Sequence, residues 1–256
     1  MTDVPPSTAV LLINLGGPDS LDAVEPFLYN LLSDPDIMGF NRFLLSPLAR
    51  YISHKRGPHV RNYYSLIGGK SPIVELTRLQ GSALEKALSS HGSFKVYIAM
   101  RYWHPMISES IQKILEHPPE KMIILPLYPH YSVTSTGSSL NEFDRIWKQA
   151  DSKKIRVEIV REWHDHPLYI SAMCDTIQKT LEANHLDIQA CHIVFSAHGI
   201  PLRFIRKGDP YATQIERTVA LISEQLGPKG NYHLAYQSRV GPLKWLGPST
   251  SKTVRD

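Results

Sequence analysis

Cysteine is scarce in this chain, whose 256 residues include only Cys174 and Cys191, and these form no CxxC pair. Two isolated cysteines show no metal-binding spacing, and they allow at most one disulfide. Because nothing in the sequence supports that disulfide, we expect a reducing compartment and a cytoplasmic protein.

Long hydrophobic runs are also lacking. The N-terminal segment MTDVPPSTAVLLINLGG has no basic residue ahead of its apolar core. That core, about seven residues long, is too short for a membrane span and unlike a signal peptide. We interpret it as the first buried strand. The sequence is also compatible with a peripheral contact with a membrane surface.

Charge is nearly balanced, with 28 Lys and Arg residues against 24 Asp and Glu residues and a formal net charge of +4. No block of like charges and no arginine-rich arm interrupts the chain. A protein that binds nucleic acid needs clustered basic residues. The sequence therefore predicts no nucleic-acid partner.

Several catalytic and cofactor motifs are missing. The first apolar run is followed by NLGGPDS rather than GxGxxG, and GxxxxGK[ST], GxSxG and HExxH do not occur. A nicotinamide or P-loop nucleotide site, a serine hydrolase and a zincin are therefore disfavoured.

Apolar runs alternate with segments of helical periodicity along the whole chain. The runs are short and often β-branched, which favours strands at 9–17, 94–102, 121–129, 155–163, 191–199 and 231–239. Alternating strands and helices predict an α/β fold with parallel sheets flanked by helices. We expect two Rossmann-like domains, 1–150 and 151–256, with three strands each and a polar linker at 148–154. A single doubly wound sheet is the alternative.

Aromatic, imidazole and cationic side chains follow the predicted strands, including Arg101, Tyr102, Tyr128, Trp163 and His198. In parallel α/β sheets, ligands bind beyond the carboxyl ends of the strands. This composition favours a flat, largely apolar ligand together with a proton-transfer or metal-binding task. The spacing of His164 and His166 is a weak metal signal, because zinc normally needs four ligands.

Seven segments occur in this order along the chain: LLINLGGPDS, IGGKSPI, MRYWHP, LPLYPHYSVTSTGSSLNE, FSAHGIP, GDPY and YQSRVGPLKWLGPST. This ordered set resembles ferrochelatase, the family that inserts ferrous iron into a porphyrin. The resemblance extends from about residue 8 to about residue 250, and it implies a chelatase-type fold of two Rossmann-like domains.

The resemblance also implies roles for individual residues. His198 matches the family's histidine that handles metal and abstracts protons, a role that suits imidazole. Tyr128, Trp163 and His166 match residues of the metal path. The residues implied to contact porphyrin are Arg56, Tyr64, Ser71, Arg101, Tyr102, Tyr131 and Ser132. Fe²⁺ is a substrate, no cofactor is required, and two cysteines make an iron–sulfur cluster unlikely.

The family's histidine–glutamate motif has no counterpart before Asp256, so we expect a chain truncated at its C-terminus with an incomplete second domain. The main hypothesis is insertion of Fe²⁺ into protoporphyrin IX, which Leu15 favours over coproporphyrin III. The alternatives are a coproporphyrin III ferrochelatase, a truncated porphyrin-binding protein without catalysis, and a cobalt or nickel chelatase on the same architecture. The oligomeric state is not predicted.

Overall fold

The structure is a computed structural model that describes residues 7–39, 42–150, 154–227, 230–239 and 243–256. The described residues form six strands: β1 (Thr8–Asn14), β2 (Phe94–Met100), β3 (Lys121–Pro126), β4 (Arg156–Ile159), β5 (His192–His198) and β6 (Asn231–Gln237). Five of them lie within the predicted runs, and β1 begins one residue before its run. All pair in parallel. The predicted α/β class with parallel sheets flanked by helices is confirmed.

Ten α-helices connect these strands within the described residues. They are α1 (Val24–Leu32), α2 (Pro35–Met38), α3 (Arg42–Ser65), α4 (Ile73–Leu88), α5 (Ile107–Leu115), α6 (Ser138–Trp147), α7 (Pro167–Ala183), α8 (Leu202–Arg206), α9 (Tyr211–Leu226) and α10 (Thr250–Thr253). A π-helical turn, Val133–Gly137, leads directly into α6, and a 3₁₀ turn, Ile188–Ala190, precedes β5.

The strands form two sheets, ordered β2-β1-β3-β4 and β5-β6. The alternative of a single sheet is therefore wrong for the described residues. The expectation of three strands in each half is also wrong, because β4 pairs with β3, with Lys121 opposite Arg156. Sequence order alone cannot show which neighbour a strand will join, since pairing is decided by long-range packing.

The chain divides into two compact units, which we describe separately. The first contains the residues up to Tyr128 together with Val133–Arg161, and the second contains Pro129–Ser132 and Glu162–Asp256. The polar segment 148–154 lies partly outside the described residues, and the domain boundary proposed there stays a prediction.

In the first unit, β1 is a central strand buried on both faces. Leu11 and Ile13 belong to the core that includes Phe143 of α6. Leu12 points to the opposite face, where it lies near Gly81 of α4. Side chains alternate along a strand, so helices on both faces explain why the run TAVLLIN is apolar throughout rather than alternating.

In the second unit, α7 and α9 pack on the β5–β6 sheet. Its core contains Ile170, Cys174 and Ile222, with Phe195 of β5 packed against them. The apolar stripes of both helices face this core. In both sheets, polar and aromatic residues follow the carboxyl ends of the strands.

Among the described residues, no helix combines the length and apolar character that crossing a membrane requires.

Candidate active site

In the first unit, Arg101 and Tyr102 continue the line of β2 beyond its end. The Arg101 amide donates to the carbonyl of Asn14 at 2.8 Å, and the Tyr102 amide donates to the carbonyl of Leu15 at 3.0 Å. These bonds extend the β1–β2 pairing and fix where both side chains start. The prediction that both residues lie at a strand end is confirmed, while their contact with porphyrin stays a prediction.

A buried carboxylate organises these two side chains. Asp34 is 2% exposed, and its Oδ2 accepts from Arg101 Nη2 at 3.0 Å, from Tyr102 Oη at 2.5 Å and from Ser138 Oγ. Its Oδ1 accepts from the amide of Asp36 at 2.8 Å and caps α2. A buried charge needs this density of donors. Asp34 thus ties the residues after β2 to the start of α6.

The Arg101 guanidinium is held on two sides. Its Nε donates to the carbonyl and the Oγ of Ser138, at 3.2 and 2.8 Å, while Nη2 is paired with Asp34. The side chain is 15% exposed. Because Arg stays protonated, it forms an ion pair with Asp34, and the orientation of its guanidinium is set before any ligand arrives.

Two tyrosines of this region stay neutral at physiological pH. Burial, and secondarily the negative charge of Asp34, raises the pKa of Tyr102. Burial raises the pKa of Tyr128, which follows β3, to about 12, and Ser139 Oγ lies 3.5 Å from its hydroxyl. Both phenols therefore act as hydrogen-bonding groups rather than as anions.

The π-helical turn Val133–Gly137 belongs to the first unit and leads into α6. Such turns are rare and occur frequently at functional sites. Thr136 is fully buried, and its hydroxyl has no hydrogen-bond partner within the described residues. The turn sets the position of Ser138 and Ser139, which bond Arg101 and Tyr128.

Three residues predicted to contact porphyrin, Arg56, Tyr64 and Ser71, lie in different surroundings. Tyr64 packs with Tyr102 in one apolar cluster, and burial raises its pKa. Ser71 accepts from the amide of Ile73 at 3.3 Å and fits against Gly17, where an added Cβ would lie 2.6 Å from the Ser71 side chain. Arg56 is an exposed residue of α3. The structure places Tyr64 in the same apolar cluster as Tyr102, while contact of the three residues with porphyrin stays a prediction.

In the second unit, α9 and the turn before it bind the short segment Pro129–Ser132. Tyr131 donates its amide to Gln214 Oε1 at 2.6 Å, and Ser132 donates its hydroxyl to Asp209 Oδ2 at 2.9 Å. Asp209 and Gln214 are buried. The predicted residues Tyr131 and Ser132 are thus placed by side chains more than 70 positions away.

His198 is the last residue of β5, as predicted, and its side chain is exposed. Neighbouring protein atoms still crowd the ring enough that desolvation lowers its pKa. The next residue, Gly199, donates its amide to the carbonyl of Gln237 at 2.8 Å. A Cβ at Gly199 would lie 2.9 Å from that same oxygen, so glycine is required where the chain turns away from His198.

Trp163 and His166 follow β4. The Trp163 amide donates to the carbonyl of Pro129 at 3.0 Å, and its ring meets Tyr169 edge-on with centroids 5.0 Å apart. His166 caps α7, because its Nδ1 accepts from the amide of Leu168 at 3.3 Å. His166 is exposed, so its other ring nitrogen is open to solvent. Their part in a metal path stays a prediction.

Sequence reasoning missed Asp34, Asp209 and Gln214. The Asp-Pro pairs in LSDPDIM and GDPY are helix-start signals. Asp34 caps α2, and Asp209 accepts from the amide of Tyr211, the first residue of α9. Their second contacts could not be found this way, because the partners are remote in sequence. Within the described part of the chain, no group of three or more His, Cys, Asp or Glu side chains is placed to hold a metal ion.

Each unit contains a sheet of parallel strands flanked by helices. The strand ends of the first unit carry an anchored guanidinium and neutral phenols, and a strand end of the second carries an imidazole. These features define an α/β enzyme with acid–base groups at its sheet edges. The family model "Ferrochelatase" matches residues 7–256. The chain belongs to the ferrochelatase family.

Curated relatives agree with that family. The chain is 48% identical to a ferrochelatase of Geotalea uraniireducens, over 98% of this chain and 78% of the relative. It is 47% identical to a ferrochelatase of Aquifex aeolicus, over 96% of this chain and 77% of the relative. A ferrochelatase of Gloeothece citriformis is 45% identical over 96% of this chain and 65% of the relative.

Proposed function

We propose that this chain inserts Fe²⁺ into protoporphyrin IX and so forms protoheme in haem biosynthesis. The observation that carries the proposal is His198 at the carboxyl end of β5, with an exposed ring whose pKa is lowered by desolvation. At neutral pH this imidazole is a free base. It has the chemistry to accept a proton and to meet a ferrous ion.

The reaction requires proton removal in balance with metal binding. A free-base porphyrin loses two pyrrole protons when its four nitrogens bind Fe²⁺, and the metal keeps its oxidation state. Neutral His198 accepts the two protons one after the other and passes each to solvent, which makes it a general base. A lower solution pH protonates His198 and removes this function.

The first unit supports ligand binding. Arg101 offers a guanidinium held in place by Asp34 and Ser138, and Tyr64 and Tyr102 lie in one apolar cluster with Leu15. An anchored guanidinium suits a carboxylate substituent, and an apolar cluster suits the macrocycle. We assign protoporphyrin IX rather than coproporphyrin III because the Leu15 side chain adds no polar group to that cluster.

Two further expectations belong to this proposal. No resident cofactor is required, since Fe²⁺ enters as substrate. A cytoplasmic location fits Cys174 and Cys191, both of which are free thiols.

Anaerobic mixing of the purified chain with protoporphyrin IX and Fe²⁺ tests the proposal. Metalation should quench porphyrin fluorescence and convert the free-base visible spectrum to that of the iron complex. His198→Ala should abolish conversion and still bind porphyrin, whereas His185→Asn should convert normally. His185 is an exposed residue with a φ of 54°, a conformation that Asn tolerates. Binding of porphyrin by the unaltered chain without conversion would instead favour a porphyrin-binding protein.

A further inference from the structure

Two histidines that have no assigned role lie together in the second unit. His130 comes from the segment after β3 and His164 from the segment after β4, and their ring centroids are 6.1 Å apart with the ring planes tilted by 35°. Both residues are half-buried. The sequence pairs His164 with His166, but the fold uses His166 as a helix cap and places His164 opposite His130.

A buried threonine fixes which nitrogen of His130 carries its proton. Thr218 Oγ1 donates its one hydrogen to the carbonyl of His164 at 2.7 Å. The 2.8 Å contact between Thr218 Oγ1 and His130 Nε2 therefore has the histidine as donor. Neutral His130 is then protonated on Nε2 and carries a lone pair on Nδ1. Metal-binding histidines are typically oriented by a hydrogen bond of this kind from the other ring nitrogen.

His164 contributes an unused nitrogen. Its Nδ1 is buried and has no hydrogen-bond partner within the described residues. Leaving a buried polar atom unpaired costs about 1–3 kcal/mol, and such atoms recur at sites that bind water, ions or substrates. An unpaired imidazole nitrogen beside a second imidazole with a free lone pair has the chemistry of a metal site.

The distance between the His130 and His164 rings fits the geometry of two imidazoles that bind the same metal ion. With a metal–nitrogen bond of about 2.0–2.1 Å, an ion lies about 3.2 Å from each imidazole centroid. Two rings that share the ion then have centroids about 5.2 Å apart for a tetrahedral angle and about 6.4 Å apart for a linear one. The observed 6.1 Å lies within that range.

Aromatic side chains surround the His130 ring. Tyr169 and Tyr211 meet the His130 ring edge-on and limit its rotation.

We propose that His130 and His164 together bind one divalent transition-metal ion of the Fe²⁺, Co²⁺ and Zn²⁺ group, at a site that does not use His198. Two protein nitrogens leave the remaining coordination positions to water. So few ligands permit rapid exchange, which suits a substrate ion; this last point alone rests on the proposed function.

Co²⁺ titration of the full chain carrying His198→Ala tests the site, with visible absorption as the readout. We expect a saturable Co²⁺ spectrum in this background. Adding His130→Gln or His164→Gln should weaken Co²⁺ binding at least tenfold, and adding Thr218→Val should weaken it less. Adding His185→Asn should change nothing. Lack of Co²⁺ binding by the His198→Ala chain, or equal affinity in all variants, overturns the proposal.

A second measurement avoids dependence on variants that fold poorly. Substoichiometric Co²⁺ added to the unaltered chain should shift or broaden the ring resonances of His130 and His164 while leaving those of His185 unchanged. Unmoved resonances of His130 and His164 at saturating Co²⁺ overturn the proposal. Because metalation of porphyrin is assayed separately, failure of this site and failure of the proposed catalysis give different results.

Discussion

The carboxylate of Asp34 lies 3.0 Å from Nη2 of Arg101, in a pair where the two side chains are 1% and 15% exposed. Removal of one partner from such a buried pair leaves the other charged and uncompensated, which costs more than the pair itself contributes. This pair also receives Tyr102 and Ser138, so its loss affects four residues at once.

Asp34→Ala should lower the stability of the first unit by about 3–5 kcal/mol, because Arg101 stays charged without its carboxylate. Urea denaturation followed by far-ultraviolet circular dichroism measures the change. Asp36→Ala is the matched control, since Asp36 lies two residues along and bonds Asn141 at the surface at 2.9 Å; we expect a cost of at most about 1 kcal/mol there. Equal denaturation midpoints for the two variants would show that the Asp34–Arg101 pair does not stabilise the unit.

Acidification should destabilise the second unit through His130. The folded pKa of about 4 lies below the ordinary value of 6.5, so the unfolded chain binds more protons than the folded chain between these values. Stability is therefore complete above about pH 6.5 and falls by up to about 3 kcal/mol as the pH drops to about 4. Denaturation curves collected from pH 7 to pH 4 measure this slope.

His130→Gln supplies the comparison for that slope, because glutamine does not titrate. The variant should lose less stability between pH 6.5 and pH 4 than the unaltered chain, while His117→Gln, an exposed change in the first unit, should keep the original slope. Identical slopes in all three proteins would contradict the prediction.

Gly199→Ala should destabilise the second unit by about 1–3 kcal/mol, because the new methyl group would overlap the carbonyl oxygen of Gln237. The displaced backbone adjoins His198, so porphyrin metalation should fall as well. Thermal melting and the anaerobic metalation assay check the two effects. Gly57→Ala lies inside α3, and its added carbon makes only an ordinary 3.5 Å contact with Glu25 of α1, so it should be neutral or stabilising. The same loss in both variants would argue against the close approach at Gly199.

Gln214→Leu should loosen the segment Pro129–Ser132. Gln214 is buried, accepts from the Tyr131 amide at 2.6 Å and donates to Glu162, so its replacement leaves that amide unpaired at a cost of about 1–3 kcal/mol. Hydrogen exchange at the Tyr131 amide should accelerate. Gln225→Leu, on the same helix with a weak exposed contact to Ser171 at 3.5 Å, should leave that exchange rate unchanged. Unaltered Tyr131 exchange in Gln214→Leu would contradict the role assigned to α9.

Local patterns predicted the elements well. Each of the six apolar runs forms a strand, although β1 begins one residue before its run. The helical periodicity of SPIVELTRLQGSALEKALSS and SSLNEFDRIWKQA corresponds to α4 and α6. These predictions succeed because the periodicity of a strand or a helix is a property of neighbouring residues in the sequence. The position of His198 at the end of β5 follows from the same reasoning.

Strand pairing was harder to predict. The expectation placed 155–163 in the later half, whereas β4 pairs with β3 through Ile124 and Ile159. Strands of similar composition compete for the same neighbours, and burial of a complete sheet face decides the outcome.

The sequence by itself determined the α/β class, the six strands, the ferrochelatase family and the placement of His198 at a strand end. Periodicity and motifs involve residues that are close together in the chain, so the sequence shows them directly. Only the tertiary structure decided that Asp34 anchors Arg101 across 67 positions, and that His130 and His164 face one another. The reason is physical: a buried charge or imidazole bonds to whichever partner the packed core brings close to it. The spacing of residues along the chain does not show which residues become close in the fold.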